Sequence, residues 1–304
     1  MLNKLTVSSS PHIHLGERTS GIMLDVIIAL IPAAIYGIIL FGLNAALVIL
    51  VSVVSAMLSE FIWNKILKKE NSLTDLSTVV TGLILGLCLP PRLPVWMAAL
   101  GSAIAIIIIK QMFGGLGQNF ANPASTARIT LMVSFPAAMT SFYEPFGNIV
   151  SSATPLVDDG ALTVKEFLFG IHGGCIGEVA ILPLIIGGLY LMARRIISPI
   201  IPTSFIATVF VFSWVLGLNP LNAILSGGLM LGAFFMATDY VTTPSFNLGK
   251  LIFGVGCGIL TVVIRRFAAL PEGVSYAILI MNLLVGYINK LTMQKPFFKE
   301  VKQK

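Results

Sequence analysis

The chain has 304 residues, of which 56% are hydrophobic and 11% are charged, and its mean hydropathy is +0.95. A water-soluble domain cannot bury so large an apolar fraction, so the composition predicts an integral membrane protein. The net charge of +6 does not indicate a nucleic-acid partner, because the basic residues are not concentrated in one segment or tail. The first 20 residues are mostly polar and predict no cleavable signal peptide.

The cysteines and histidines do not form a recognisable metal-binding pattern. Cys88, Cys175 and Cys257 stand far apart, and no two of them form a CxxC pair. The sequence therefore predicts neither an iron–sulfur or zinc site nor a disulfide framework. The three histidines lie in no ligand spacing with these thiols, so we expect no bound metal ion.

Ten apolar segments are long enough to cross, or nearly cross, about 30 Å of hydrocarbon. The fifth segment follows a glycine-rich stretch and contains Asn122-Pro123, so we expect it to begin as irregular backbone that re-enters the membrane. The segments cover residues 21–42, 44–66, 74–90, 94–110, 120–136, 176–193, 200–217, 222–238, 249–266 and 273–290.

The distribution of lysine and arginine predicts the orientation of these segments. With both termini in the cytoplasm, most of the 19 basic residues lie on the cytoplasmic side. The opposite side and its helix ends keep only Arg92, Arg128, Lys165, Arg265 and Arg266. This asymmetry follows the positive-inside rule, and it places the long loop 136–175 outside the cytoplasm.

Five crossings on each side of one loop predict two halves of opposite topology. The chain then divides into an N-terminal five-helix half (1–135), an extracytoplasmic loop (136–175) and a C-terminal five-helix half (176–304). Inverted repeats of this kind are common in transporters. The similarity of Gly82–Gly86 (GLILG) to Gly228–Gly232 (GLMLG) is compatible with duplication, and is equally compatible with the chance recurrence of Gly and Leu.

The loop contains the sequence Ser151-Ser152-Ala153-Thr154, followed by Pro155. Loops of this length are often functional. Small neighbouring residues leave the Thr154 hydroxyl accessible, and Pro155 favours an extended backbone before it. Taken without its surroundings, however, the pattern is unremarkable.

In context, the segment Asn148–Thr154 resembles the flavinylation motif of two related protein families. These are the D subunits of the Rnf ion-translocating oxidoreductase complex and the B subunits of the Na⁺-translocating NADH:quinone oxidoreductase. Their motif reads approximately Asp-x-x-Ser/Thr-Gly/Ser-Ala-Thr; Asn148 stands at the Asp position, whereas Ser151, Ala153 and Thr154 match. Similar blocks occur in family order at Ser10–His12, Gly117–Ala124, Gly177–Glu178, Ala237–Pro244 and Pro271–Leu279. The chain is thus identified as a member, and its short N-terminus is more similar to the Rnf D subunits.

This resemblance implies a membrane electron relay with FMN attached through its phosphate to Thr154. It also implies a flavin transferase that acts outside the cytoplasm, and sister Rnf subunits that supply the ferredoxin and nicotinamide chemistry. Such a complex couples electron transfer from ferredoxin to NAD⁺ to translocation of Na⁺ or H⁺ across the cell membrane. The isolated chain is not expected to be active, since it contains no GxGxxG motif after a strand and no cluster-binding cysteines.

Asn119 and Asn122 are a second candidate site, at the predicted irregular start of the fifth segment. Their amides could hydrogen-bond a planar polar ligand, and the family resemblance implies a non-covalent flavin, riboflavin, in this region. The alternative is a helix cap beside Pro123 that satisfies only its own turn.

Acidic residues in or beside apolar segments are candidates for an ion path. Asp239 is the strongest of them, because it lies between Thr238 and a Thr-Thr-Pro break; it could instead cap the next segment. Asp25 and Glu178 are weaker candidates. Glu60 and Asp75 are expected near the cytoplasmic interface, where they would simply be solvated.

A passive permease is the rival interpretation. Ten helices in a 5+5 inverted arrangement also occur in urea and ammonium channels, so topology alone does not separate the two functions. The extracytoplasmic Ser-Ser-Ala-Thr segment favours the electron relay, because a channel has no need of it.

Overall fold

Helices form nearly all of the regular structure in the computed structural model, which describes residues 19–68, 72–143, 145, 151–152, 164–268 and 273–293. In chain order the helices are α1 (Thr19–Phe41), α2 (Leu43–Ile66), α3 (Ser77–Cys88), α4 (Val95–Ala103), α5 (Pro123–Ser134), α6 (Pro136–Met139), α7 (Val164–Leu168), α8 (Ile181–Ala193), α9 (Ile200–Val215), α10 (Pro220–Leu225), α11 (Leu229–Leu231), α12 (Asn247–Phe267) and α13 (Gly273–Thr292). A 3₁₀ turn, Ser72–Asp75, precedes α3. Two π-helical segments, Ile104–Gln111 and Gly232–Met236, continue α4 and α11.

Four of these helices are long and apolar enough to cross a membrane: α1, α2, α12 and α13. Helices α3, α8, α9 and the run Val95–Gln111 are apolar but shorter. The two remaining predicted segments, 120–136 and 222–238, are not single helices. Residues 112–122, which lead into the first of them, are not helical, and residues 226–228 separate α10 from α11 in the second. The expected irregular start of the fifth segment is therefore confirmed. These helices show a multi-pass helical membrane protein.

A short hairpin departs from the all-helical expectation. Strand β1 (Phe142–Tyr143) pairs antiparallel with β2 (Ser151–Ser152), with Phe142 opposite Ser152 and Tyr143 opposite Ser151. The Arg92 guanidinium lies 4.6 Å from the centre of the Tyr143 ring, a cation–π contact that joins the hairpin to the turn between α3 and α4. Strand β2, which contains Ser151 and Ser152 of the candidate flavin segment, is thus linked through β1 to the turn after α3.

Small residues allow α8 to lie close to its neighbours. A Cβ atom at Gly187 would overlap the backbone carbonyl of Ala29 in α1, and one at Gly188 would overlap the ring of Phe234. Close approach through small residues is the usual basis of helix packing in lipid, where apolar burial alone gives no driving force. By contrast, large apolar side chains of α2 point outward; Leu50 is 59% exposed, as expected for a surface that faces hydrocarbon.

The contact at Gly187 predicts a specific cost of substitution. Gly187→Ala should lower the free energy of unfolding by about 1–3 kcal/mol, because the backbone of Ala29 cannot move aside as a side chain could. Gly286→Ala is the matched control, since nothing lies within 4 Å of a Cβ there. It should be neutral or stabilising by about 0.5–1 kcal/mol. Thermal unfolding of the detergent-solubilised protein measures both, and equal losses would contradict the packing argument.

Candidate functional site

The fifth and eighth predicted segments meet beside a cavity whose empty space is about 860 Å³, including the part that is open to solvent. Its walls are mainly apolar side chains of α1, α3 and α8 and of the π-helical segment that follows α11. The π-helical segments contribute Lys110, Phe234 and Phe235, consistent with the frequent occurrence of π-helical turns at functional sites. The other polar residues on the wall are Ser77, Thr81, Asn119, Asn122, Thr238, Asp239 and Tyr240.

Asn122 caps helix α5 and also bonds to the end of the second π-helical segment. Its Oδ1 accepts a hydrogen bond from the Ser125 backbone N–H at 3.1 Å, so the cap predicted as the alternative role is present. Its Nδ2 donates to the Met236 carbonyl oxygen at 3.1 Å, across to the end of the second π-helical segment. One amide N–H and one oxygen lone pair of Asn122 remain for a ligand at the cavity wall.

Asn119 lies on the same cavity wall as Asp239. Its side-chain amide donates to the Ala121 carbonyl oxygen at 3.1 Å. Asn119 is buried, with 8% of its surface exposed, yet it lines the cavity. The sequence predicted Asn119 as a ligand contact and Asp239 as an ion-path carboxylate. The structure places both residues on the wall of the same cavity.

Asp239 organises the turn that follows the second π-helical segment. Its carboxylate accepts hydrogen bonds from the Val241 backbone N–H at 3.4 Å and from the Thr242 hydroxyl at 3.2 Å. The Thr243 hydroxyl donates to the Asp239 backbone carbonyl at 2.9 Å. The half-buried side chain thus stabilises a turn and also forms part of the cavity wall.

Asn282 was missed in the sequence, although it is a polar residue within the long apolar helix α13. With its amide nitrogen facing the Thr242 carbonyl at 3.0 Å, its oxygen accepts from the Asn122 backbone N–H at 3.0 Å. It therefore bridges the turn after Asp239 to the start of α5. An amide in the middle of an apolar helix is the signal that could have identified it.

The expectation that Glu60 is solvated is wrong. Glu60 is fully buried and forms an ion pair with Lys110, which is 3% exposed; the Nζ–Oε2 distance is 3.1 Å. Gln111 and Ser72 also donate to Glu60 Oε1, at 2.9 and 2.5 Å. Burial of the Glu60 carboxylate is favourable because Lys110, 50 residues away in the sequence, supplies the opposite charge. No local pattern around Glu60 indicates this partner.

Asp25 and Glu178 are not among the cavity-lining residues. Asp25 accepts a hydrogen bond from the Tyr190 hydroxyl at 2.7 Å and pairs with Arg194 at 3.1 Å, joining α1 to the end of α8.

Glu178 is buried and accepts hydrogen bonds from two backbone N–H groups, those of Cys175 and Gly227. The buried guanidinium of Arg128 lies close by, with Nη2 at 3.2 Å from the Cys175 sulfur. These bonds secure the segment before α8 to the break between α10 and α11, a structural role; an ion-path role of Asp25 or Glu178 stays a prediction.

The candidate flavin segment is only partly described. The backbone of Ser151 and Ser152 forms strand β2. Ala153 and Thr154 lie outside the described residues, as do the family-like blocks at residues 10–12 and 271–272. In the part of the chain that the structure covers, no three His, Cys, Asp or Glu side chains come together as metal ligands.

Comparison with known proteins identifies the family. Residues 6–298 match the model of the NQR2, RnfD, RnfE family. Over 300 residues the chain is 45% identical to the D subunit of the Na⁺-translocating ferredoxin:NAD⁺ oxidoreductase complex of Acetobacterium woodii, covering 96% of this chain and 94% of that protein. It is 41% identical over 320 residues to the D subunit of the proton-translocating ferredoxin:NAD⁺ oxidoreductase complex of Clostridium ljungdahlii, covering 97% and 96%. The D subunit of an ion-translocating oxidoreductase complex from Cronobacter sakazakii is 35% identical over 343 residues, covering 96% and 98%. The chain therefore belongs to the NQR2, RnfD, RnfE family.

Proposed function

We propose that this protein is the electron-relay D subunit of an Rnf-type complex, which couples ferredoxin:NAD⁺ electron transfer to translocation of Na⁺ or H⁺. The observation that carries the proposal is near-full-length similarity to relatives named as the D subunits of such complexes. The relatives differ in the ion that their names give, so the family leaves the choice of ion open. Membership of this family argues against the passive urea or ammonium channel, although both would be multi-pass helical proteins.

The proposed topology has ten crossings in two five-helix halves, 1–135 and 176–304, with both termini in the cytoplasm. Helices α10 and α11, with the π-helical segment after α11, form the eighth crossing. In support, α1 packs against α8 and α5 packs against α13, so the first helices of the halves meet and the last helices meet. Residues 136–175 then form the extracytoplasmic loop, accessible to a flavin transferase.

FMN is proposed to be attached to Thr154 by a phosphoester. Ser151 and Ser152 precede it in strand β2, whose pairing with Phe142–Tyr143 fixes the approach to the attachment point. A phosphate tether leaves the isoalloxazine ring free to accept and pass single electrons while limiting where the ring can move. Sister subunits supply the electrons and receive them.

A second, non-covalent flavin is proposed for the cavity beside Asn119 and Asn122. The apolar wall, including Phe234 and Phe235, suits the faces of a tricyclic ring, and the Asn122 amide suits its polar edge. Riboflavin would satisfy this donor set. Asp239, on the same cavity wall as Asn119, is proposed to couple the ligand to a translocated cation.

The covalent attachment is tested by in-gel flavin fluorescence of the denatured protein, produced together with its transferase. Thr154→Val should abolish the fluorescent band, because valine offers no hydroxyl for the phosphoester. Thr140→Val is a control that removes an exposed hydroxyl near the start of the same loop, and it should keep the band. A band that persists in Thr154→Val would refute the attachment site.

The cavity flavin is tested with two asparagines that each cap a helix beginning with proline. Asn122→Leu and Asn219→Leu both remove an N-cap, at α5 and α10, and both should lose about 0.5–2 kcal/mol of stability. Only Asn122 lines the cavity, so Asn122→Leu alone should lower the flavin recovered by acid extraction, with Thr154 labelling intact. Equal flavin recovery from both variants would remove the cavity proposal.

The role of Asp239 is tested in the assembled complex. Asp239→Asn keeps the side-chain volume and an acceptor for Thr242 but removes the charge, so the dependence of turnover on Na⁺ or H⁺ concentration should weaken. The same titration on Asp25→Asn and Glu178→Gln examines the other two carboxylates. If Asp239→Asn retains the normal ion dependence, its role is limited to stabilising the turn.

A further inference from the structure

A chain of hydrogen bonds leads from the cavity wall to a half-buried carboxylate at the start of α3. Lys110 Nζ donates to Ser77 Oγ at 2.7 Å, and Ser77 Oγ donates to Asp75 Oδ1 at 2.6 Å. Lys110 and Ser77 both line the cavity, whereas Asp75 is half-buried in the 3₁₀ turn before α3. The three groups therefore connect the cavity to the region next to solvent without a gap.

Chemistry fixes the direction of both bonds. An ammonium group can only donate and a carboxylate can only accept, so the Ser77 hydroxyl must accept from Lys110 and donate to Asp75. A proton can pass from Lys110 to Ser77 while the Ser77 proton passes to Asp75. One N–H bond breaks and one O–H bond forms on the carboxylate, with the hydroxyl restored. The resulting amine can then accept a proton from the cavity, which completes proton release. For proton delivery the transfers reverse: the Lys110 ammonium gives a proton to the cavity, the Ser77 proton passes to the Lys110 amine, and protonated Asp75 restores the Ser77 hydroxyl.

The other partners of Lys110 do not provide such a connection. Thr78 accepts from Lys110 at 3.1 Å but has no described bond that continues toward a titratable group. Glu60 faces Lys110 on the opposite side and provides the negative charge that keeps the ammonium stable in a buried position. Its own hydrogen bonds continue to Ser72, whose hydroxyl accepts from the Asn64 amide at 3.0 Å and so reaches no second carboxylate.

We propose that Asp75, Ser77 and Lys110 form a proton-exchange route between the protein surface and the cavity. The inference rests on the proposed flavin in that cavity, since reduction and oxidation of an isoalloxazine ring require protons to reach and leave it. Asp239 is the carboxylate on the wall; its carboxylate accepts from the Val241 N–H and the Thr242 hydroxyl, and neither group is titratable. Lys110 is thus the cavity-wall group that described hydrogen bonds connect to a second titratable group, Asp75.

The test compares Ser77→Ala with Thr78→Val, two substitutions that each remove one hydroxyl contact of Lys110. The full chain carries Thr154→Val, so that no flavin is attached there, and is loaded with riboflavin. Bound riboflavin is quantified, then reduced by rapid mixing with dithionite in H₂O and D₂O while the flavin absorbance is followed. Ser77→Ala leaves the bond from the residue 77 backbone N–H to Asp75 in place, so the start of α3 should stay folded.

Ser77→Ala should slow full reduction by about tenfold or more and change its solvent isotope effect, whereas Thr78→Val should keep the parent rate. Asp75→Asn, which keeps the acceptor but not the titratable group, should slow reduction like Ser77→Ala. Parent rates in Ser77→Ala and Asp75→Asn, or equal slowing in Thr78→Val, would overturn the route. If the parent protein binds no riboflavin, the proposed flavin site in the cavity is wrong, and the proton route that rests on it is wrong too. The measured riboflavin content distinguishes this result from a failure of the route alone, in which riboflavin binds but the variants show the parent reduction rate.

Discussion

The hydrogen bonds of Asn122 hold together two places where the chain leaves regular helical geometry among apolar residues. Its side chain accepts from the Ser125 N–H and donates to the Met236 carbonyl, while its backbone N–H is accepted by Asn282. A polar backbone group without a partner in hydrocarbon costs several kcal/mol, so irregular backbone persists at depth only where protein satisfies it. These bonds keep the start of α5 beside the end of the second π-helical segment at the cavity wall.

The buried Glu60–Lys110 pair depends on the same principle. Removing two charges from water is costly, and their attraction repays that cost only when further hydrogen bonds satisfy the remaining donors and acceptors. Ser77 and Thr78 complete the coordination of Lys110, while Gln111 and Ser72 complete that of Glu60. The pair joins α2, α3 and the first π-helical segment, and it places a charged nitrogen at the edge of a mainly apolar cavity.

The positions of the two proposed flavin sites indicate how the proposed electron relay would work. The charge distribution predicts that the loop segment leading to Thr154 and the cavity beside Asn122 lie toward opposite membrane faces. A redox group at each position would let electrons move partly across the bilayer, while Asp239 and Lys110 at the cavity offer charges that can respond to them. Electron transfer and cation binding would then be coupled electrostatically at the same cavity.

The sequence by itself determined the properties that depend on neighbouring residues. Hydropathy identified the long apolar helices, and Asn122-Pro123 marked both a helix start and its cap. Only the tertiary structure decided which distant groups meet: Glu60 with Lys110, and Asn282 with Asn122. A helix forms from contacts within a few residues, whereas burial of a charge or an amide is favourable only when a partner from another helix satisfies it, and no local pattern encodes that partner.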